Sequence, residues 1–310
     1  MRRLTRVGVV LAALVLGLSA CADGADDGQG AAVADRGAEP VDVELIASAV
    51  DDVTAASTGR FVMTLAYEGV PGLDGAVITG EGEYDYGSSA SRVAIDLGSV
   101  GPGPDGGGTA PSDGSIETVT IGTTAYVGAG PLARFLPADA AWIRLDLAEL
   151  AGESSLDGLQ PDSFGPAPGM DPRSSLEQLQ AVADVTEVGR ADVRGVPTRH
   201  LAGELRLGDV AAQLDAPARD SLSGLYGGDL EALADVTVPI EVYVDAQGLI
   251  RRVHQRLEFD ELAPVLDGAE PGELDGAVME FTIDYFDFGA DITVEAPENA
   301  IGLEELVGSF

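Results

Sequence analysis

The sequence predicts an α+β protein in which helices pack on one side of a curved antiparallel sheet. Three observations lead there. Apolar residues recur at every second position in many short runs, Gly and Pro turns separate those runs, and a few segments of helical period interrupt them. Sequential strands joined by short turns pair as neighbours, so the order helix, strands, helix, strands, short helix, strands reads as one sheet with its helices on a single face.

The first helix follows Pro40, where Val43, Ile46, Val50 and Val53 stand at helical spacing with Asp42 as a cap and Gly59 beyond as a stop. Residues 60–67 then alternate, placing Phe61, Met63, Leu65 and Tyr67 on one face and Val62, Thr64 and Ala66 on the other. The same period of two recurs in 77–86, 91–97, 116–121, 125–127 and 142–147, which makes the N-terminal half a meander. Two stretches, 98–114 and 151–170, are so dense in Gly, Pro, Asp and Ser that they read as long loops.

Asp171-Pro172 opens a second helix with Pro at its first position and a stripe of Leu176, Leu179 and Val182. Strands follow at 185–193 and 198–207, joined by Gly195-Val196-Pro197, and 210–233 is rich enough in Ala and Leu for a further helical excursion. The clearest hairpin joins 236–244 to 249–259 through Asp245-Ala246-Gln247-Gly248, where Gly supplies the positive φ of a tight turn. Segments 278–285 and 292–294 complete the strands.

The N-terminus reads as targeting rather than fold. Arg2, Arg3 and Arg6 precede an apolar run from 7 to 18 that ends in Ser19 and Ala20. That run is about a dozen residues long, against roughly 20 for a membrane span. Leu18-Ser19-Ala20-Cys21 resembles the lipobox of bacterial lipoproteins, and Cys21 is the single cysteine of the chain. An exported protein with one cysteine has no internal disulfide, and acylation of Cys21 explains why that thiol is there. Residues 1–20 are therefore expected to be a lipoprotein signal peptide, 21–40 an acylated flexible tether, and 41–310 a single domain held on the outer face of the cytoplasmic membrane.

The net charge of −36 becomes −39 without the three signal arginines, and every basic residue is Arg. Nucleic acid is excluded as a partner, because a polyanion is repelled and no basic stripe with interleaved aromatics overcomes that. Anionic head groups are repelled too, so membrane attachment falls to the N-terminal acyl chains. Aromatic residues make up only 5% of a chain that is 45% hydrophobic, so the core must be built from aliphatic side chains.

Enzymatic chemistry finds no support. No G-x-S-x-G elbow exists, and the nearest stretch, Arg219-Asp220-Ser221-Leu222-Ser223-Gly224, lacks the first glycine. A Ser-Lys dyad needs a lysine, and the two candidate bases, His200 and His254, fall in predicted strands beside arginines. Two histidines and one acylated cysteine make no zinc site. Asp284-Tyr285-Phe286-Asp287-Phe288-Gly289 has the wrong third residue for a calcium loop. The expectation is a non-enzyme without metal or cofactor.

Several segments resemble the mycobacterial LppX/LprG lipoproteins, which share the fold of the lipoprotein carrier LolA. They are Val193-Arg194-Gly195-Val196-Pro197-Thr198-Arg199-His200-Leu201-Ala202-Gly203, Pro239-Ile240-Glu241-Val242-Tyr243-Val244-Asp245 with Gly248-Leu249-Ile250-Arg251-Arg252, and Val294-Glu295-Ala296-Pro297, following the lipobox, tether and first helix. The extreme acidity and the two long Gly/Pro inserts depart from that family. The resemblance implies a half-barrel of antiparallel strands whose concave face, covered by helices, encloses an apolar cavity for the acyl chains of a lipid or glycolipid. It further implies lipid transport across the cell envelope, with an envelope transporter as a further partner. Each buried methylene contributes about 0.8 kcal/mol, so aliphatic side chains suffice to hold such a ligand. The candidate liners are Met63, Leu65, Ile78, Val93, Ile95, Val119, Ile121, Val242, Val244, Val253, Leu257, Phe281 and Ile283, each equally readable as ordinary core. A second function stays open beside this one: a non-enzymatic interaction or sensing module whose solid sheet holds no lipid.

Overall fold

The computed structural model describes residues 39–41, 44–96, 115–128, 140–146, 182–213, 236–262 and 274–302, with single positions 176, 179, 233, 272 and 305. The signal, Cys21, the tether before residue 39, both long loops, the Asp171-Pro172 opening and most of 210–233 lie outside these residues.

Strand β1 (Glu39–Pro40) precedes α1 (Glu44–Ala55), and a meander follows: β2 (Thr58–Glu68), β3 (Val77–Asp85), β4 (Ala90–Asp96), β5 (Ser115–Ile121), β6 (Thr124–Gly128) and β7 (Trp142–Asp146). A second meander comprises β8 (Val182–Val193), β9 (Val196–Arg206), β10 (Thr237–Asp245), β11 (Ile250–Glu258) and β12 (Val278–Phe286), with α2 (Leu207–Gln213) and α3 (Phe259–Leu262) inserted. Strand β13 (Ala300–Gly302) ends the series.

All strands belong to one curved, unclosed sheet in the order β1-β8-β9-β10-β11-β12-β2-β3-β4-β5-β6-β7-β13. The two meanders join where β12 pairs with β2 over nine residues, from Val278 opposite Glu68 to Phe286 opposite Arg60. This long central seam brings the two halves of the chain into a shared core. The expected alternation is what builds it: Phe61, Met63, Leu65 and Tyr67 on β2 are each at most 3% exposed, while Arg60, Thr64 and Glu68 face solvent. Helix α1 presents Ile46, Ala49, Val50 and Val53 to the same core, the three- and four-residue spacing of one buried stripe. None of the described helices is long and apolar enough to cross a membrane.

Four expectations change. Glu39 and Pro40, assigned to the tether, pair with Glu187 and Thr186 of β8 at the edge of the sheet. Val182 opens β8 instead of completing a helical stripe. The β8–β9 turn is Arg194-Gly195, with φ of 52° and 82°, because Val193 pairs directly with Val196 and a two-residue hairpin loop needs positive φ at both positions. Residues 292–294 form no strand. Ile292 is buried, but the ladder forms later, where Ala300–Gly302 runs parallel to β7 in the one parallel pairing among the described strands.

Candidate functional site

Register decides which side chains share a face, because opposed residues point the same way. One row crosses seven strands: Leu201 of β9, Val242 of β10, Val253 of β11, Ile283 of β12, Met63 of β2, Gly80 of β3 and Ile95 of β4. A second runs through Ile240, Gln255, Phe281, Leu65 and Ile78. Leu257 opposes Met279 and then Tyr67 in a third. This is the core face, and helix α1 lies on it. Burial pushes the Tyr67 phenol up to about 12, and it raises that of Tyr84 against the opposing effect of the Arg251 charge.

Of the candidate liners, Met63, Leu65, Ile78, Val93, Ile95, Val242, Val244, Val253, Leu257, Phe281 and Ile283 all belong to this core cluster, each at most 9% exposed. Val119, although itself 0% exposed, and Ile121 do not. Val119 opposes Arg92, and Ile121 opposes Ala90, whereas Val93 on the core face opposes Thr118. Alternation along β5 is weak, with apolar Ile116, Val119 and Ile121 falling on both parities, so the sequence offered no way to choose the face. Leu201, Ile240 and Tyr84 also lie on the core face and were not among the candidates, although period-two reading of their strands could have found them.

On the core face, large side chains meet glycines. A Cβ on Gly80 would lie 2.9 Å from Met63 Cε, and one on Gly82 would lie 2.6 Å from Phe61 Cζ. The missing side chains leave room for neighbours that fill the space themselves.

The opposite face carries charged and hydrogen-bonding groups, whereas Gln255 is a polar residue within the second core row. His200 Nε2 stands 3.0 Å from Glu241 Oε2, Tyr243 donates to the same oxygen at 2.7 Å, and the His200 and Tyr243 rings stack at 4.4 Å. His200 above all, and Tyr243 in addition, hold the Glu241 carboxyl down to about 2 against the opposing effect of burial. His254 lies 3.1 Å from Thr282 Oγ1, and burial pushes its pKa down. Arg252 grips Asp284 through two bonds of 2.6 and 2.8 Å. Both histidines thus sit on the outer face in hydrogen-bonded or ion-paired settings, away from the apolar rows. No cluster of three metal-ligating side chains occurs among the described residues.

No family model matches the chain. A curated Streptomyces griseus protein, described as an uncharacterized 31.2 kDa protein in the rplA-rplJ intergenic region, is 27% identical over 192 residues. That match covers 60% of this chain and 55% of the relative, so the chain spans about half of the relative's length. Among solved structures, the chain is similar to the lipoprotein LppX of Mycobacterium tuberculosis, at 9% identity over 82% of this chain and 97% of that one, with a TM-score of 0.43. It is also similar to LprF of Mycobacterium bovis, at 11% identity over 84% and 99% with a TM-score of 0.44. A lipoprotein-sorting protein domain from Vibrio parahaemolyticus matches at 7% identity over 79% and 92%, with a TM-score of 0.27. These likenesses assign no role to any residue here.

Proposed function

We propose that this chain is a non-enzymatic envelope lipoprotein, anchored on the extracytoplasmic face of the cell membrane through acylated Cys21, that binds the acyl chains of a lipid or glycolipid for transport across the envelope. The ligand would lie in an apolar cavity between the core face of the sheet and the helices over it. Met63, Leu65, Ile78, Val93, Ile95, Val242, Val244, Val253, Leu257, Phe281 and Ile283 would line that cavity, and Val119 and Ile121 would not. The observation that carries this reading is the row from Leu201 to Ile95, seven strands wide and free of any polar side chain. Such a surface holds hydrocarbon through area alone, at about 25 cal/mol per Å².

The test is solvent extraction and mass spectrometry of the mature protein made in its native host. A stoichiometric amphiphile is expected. Repeated recovery of protein without any amphiphile overturns the reading.

One observation favours a second reading, an interaction or sensing module with a solid core. Leu65 is 0% exposed, and Met63, Phe281, Val253 and Ile283 are at most 2% exposed, so in this structure the chain's own atoms close over the rows. Titration with a fluorescent long-chain acyl probe separates the two: saturable binding at one per chain favours the carrier, and a folded protein that takes up no probe favours the module.

A further inference from the structure

We infer that the outer edge of β8 over residues 189–193 is a self-association edge, which pairs antiparallel with the same segment of a second copy of this chain. The inference is independent of the lipid reading, since it concerns backbone at the rim of the sheet and not the apolar rows. Strand β8 is covered on its outer side by β1 alone, and β1 reaches only Thr186 and Glu187. Past the bulge at Val188, nothing among the described residues pairs with that side. Val188 itself is 43% exposed, one of two large apolar side chains so placed among the described residues.

Backbone parity fixes which groups the edge offers. Val193 pairs with Val196 across a two-residue loop, so those two exchange hydrogen bonds and the pairs alternate from there. The Ala191 carbonyl accordingly faces β9, where it accepts from the Thr198 hydroxyl at 2.9 Å. Asp192 opposes Pro197, which has no N–H to give, as suits a pair that exchanges none. Arg190 and Asp192 therefore turn their N–H and C=O groups outward along an open edge.

A two-fold pairing has to set outward residues against outward residues, which leaves three registers within this segment. Two of them put Arg190 against Arg190 or Asp192 against Asp192. The third is centred on Ala191 and sets Arg190 of each copy opposite Asp192 of the other, so both pairs attract. Both side chains are exposed, and Asp192 holds the Gly195 N–H with one oxygen, which leaves its second oxygen for the other copy. In that register Gly189 opposes Val193, and the Arg194-Gly195 turn ends the added strand where β1 begins. The chain's own N-terminal segment fits less well: the register of β1 would bring Arg36 opposite Arg190, and a shift of one residue would bring Asp35 opposite Asp192. Although the chain carries a net −36, residues 182–206 hold four arginines against four carboxylates, so the copies meet where each is balanced in charge.

So short an edge buries less area than a stable dimer needs, so the pairing is weak and is best read by trapping it. The mature chain with Cys21→Ser, which removes the other thiol, receives Ala191→Cys and is oxidised with copper phenanthroline. Position 191 meets its own copy on the two-fold axis in a non-hydrogen-bonded pair, about 4.5 Å between Cα atoms, within the reach of a disulfide. A disulfide-linked dimer on non-reducing gels is expected. Gly189→Cys, whose Cβ would meet nothing in the fold, stands roughly 13 Å from its own copy and should give about tenfold less dimer. Added to the Ala191→Cys chain, Arg190→Asp or Asp192→Arg should each cut the dimer about tenfold, and mixing the two variants should restore it, because their charges complement each other again. Circular dichroism identifies a variant that has not folded; Arg190 has no side-chain partner among the described residues, so Arg190→Asp keeps the test open if Asp192→Arg fails to fold without its bond to Gly195. A dimer from Ala191→Cys no greater than that from Gly189→Cys, as when the chain's own N-terminal segment covers the edge, would overturn the inference. So would a dimer undiminished by Arg190→Asp, or no recovery when the two folded variants are mixed.

Discussion

Met63 on β2 directly opposes Gly80 on β3, and its side chain occupies the volume that a side chain on Gly80 would need, with Cε 2.9 Å from the position of a Cβ. Two residues further along β3, Gly82 stands in the same relation to Phe61, but its missing Cβ would also run into the Arg92 backbone oxygen. The two glycines are thus equivalent by sequence pattern and unequal in what surrounds them.

Gly82→Ala is therefore expected to destabilise the protein more than Gly80→Ala. Met63 ends in a flexible thioether that can swing aside, whereas the Arg92 carbonyl moves only with its strand. Overpacking of this kind costs roughly 1–3 kcal/mol. Urea denaturation should place Gly82→Ala at or above the upper end and Gly80→Ala near or below the lower. Equal midpoints for the two variants would contradict the account.

The Tyr84 hydroxyl is buried without a hydrogen-bond partner among the described residues, on a side chain that is 0% exposed. Desolvating a hydroxyl without a partner costs about 1–3 kcal/mol. Tyr84→Phe removes that cost and keeps the stack on Tyr86 at 4.4 Å, so thermal melting is expected to show unchanged or raised stability. A clear loss of stability would mean that the hydroxyl has a partner, such as a buried water.

Asp245 organises the β10–β11 hairpin. It accepts from the backbone N–H groups of Gln247 and Leu249 and from Arg251 at 2.7 Å, with its side chain only 1% exposed. Asp245→Ala strands the Arg251 cation, itself only 16% exposed, and frees two turn amides, so a loss of about 3 kcal/mol or more is expected. Asp245→Asn retains an acceptor for the turn and should lose less. Chemical denaturation of the two variants orders them.

Glu241 and His254 both resist protonation in the folded state, the first held down to about 2 chiefly by His200, the second lowered by burial. Between the ordinary and the folded pKa of each group, the unfolded chain binds the additional proton, so both contribute stability at neutral pH. His254's contribution falls away as the pH drops below about 6.5, and that of Glu241 from about 4.5 down to about 2. Glu241→Gln should flatten the stability profile in the lower window relative to the parent chain. Subtracting one profile from the other removes the general effect of neutralising so many carboxylates. Parallel curves through that window would rule the Glu241 linkage out.

Local patterns were legible to different depths. Alternation in β2, β10, β11 and β12 is strong, because each places large aliphatic or aromatic residues against polar ones, and every candidate taken from these strands falls on the core face. In β5 apolar residues fall on both parities and Thr118 and Val119 are both buried, so alternation by itself assigns neither Val119 nor Ile121 to a face.

What the sequence determined by itself was local: the two-residue period of most strands, the buried stripe of α1 and the Asp245–Gly248 turn, all set by backbone geometry within a few residues. The tertiary structure alone decided the partners: β12 beside β2, the parallel docking of β13 on β7, and the row that carries Leu201 through to Ile95. The reason is register. A slip of one residue between two strands sends every side chain to the other face, and only packing of the whole sheet selects among such slips.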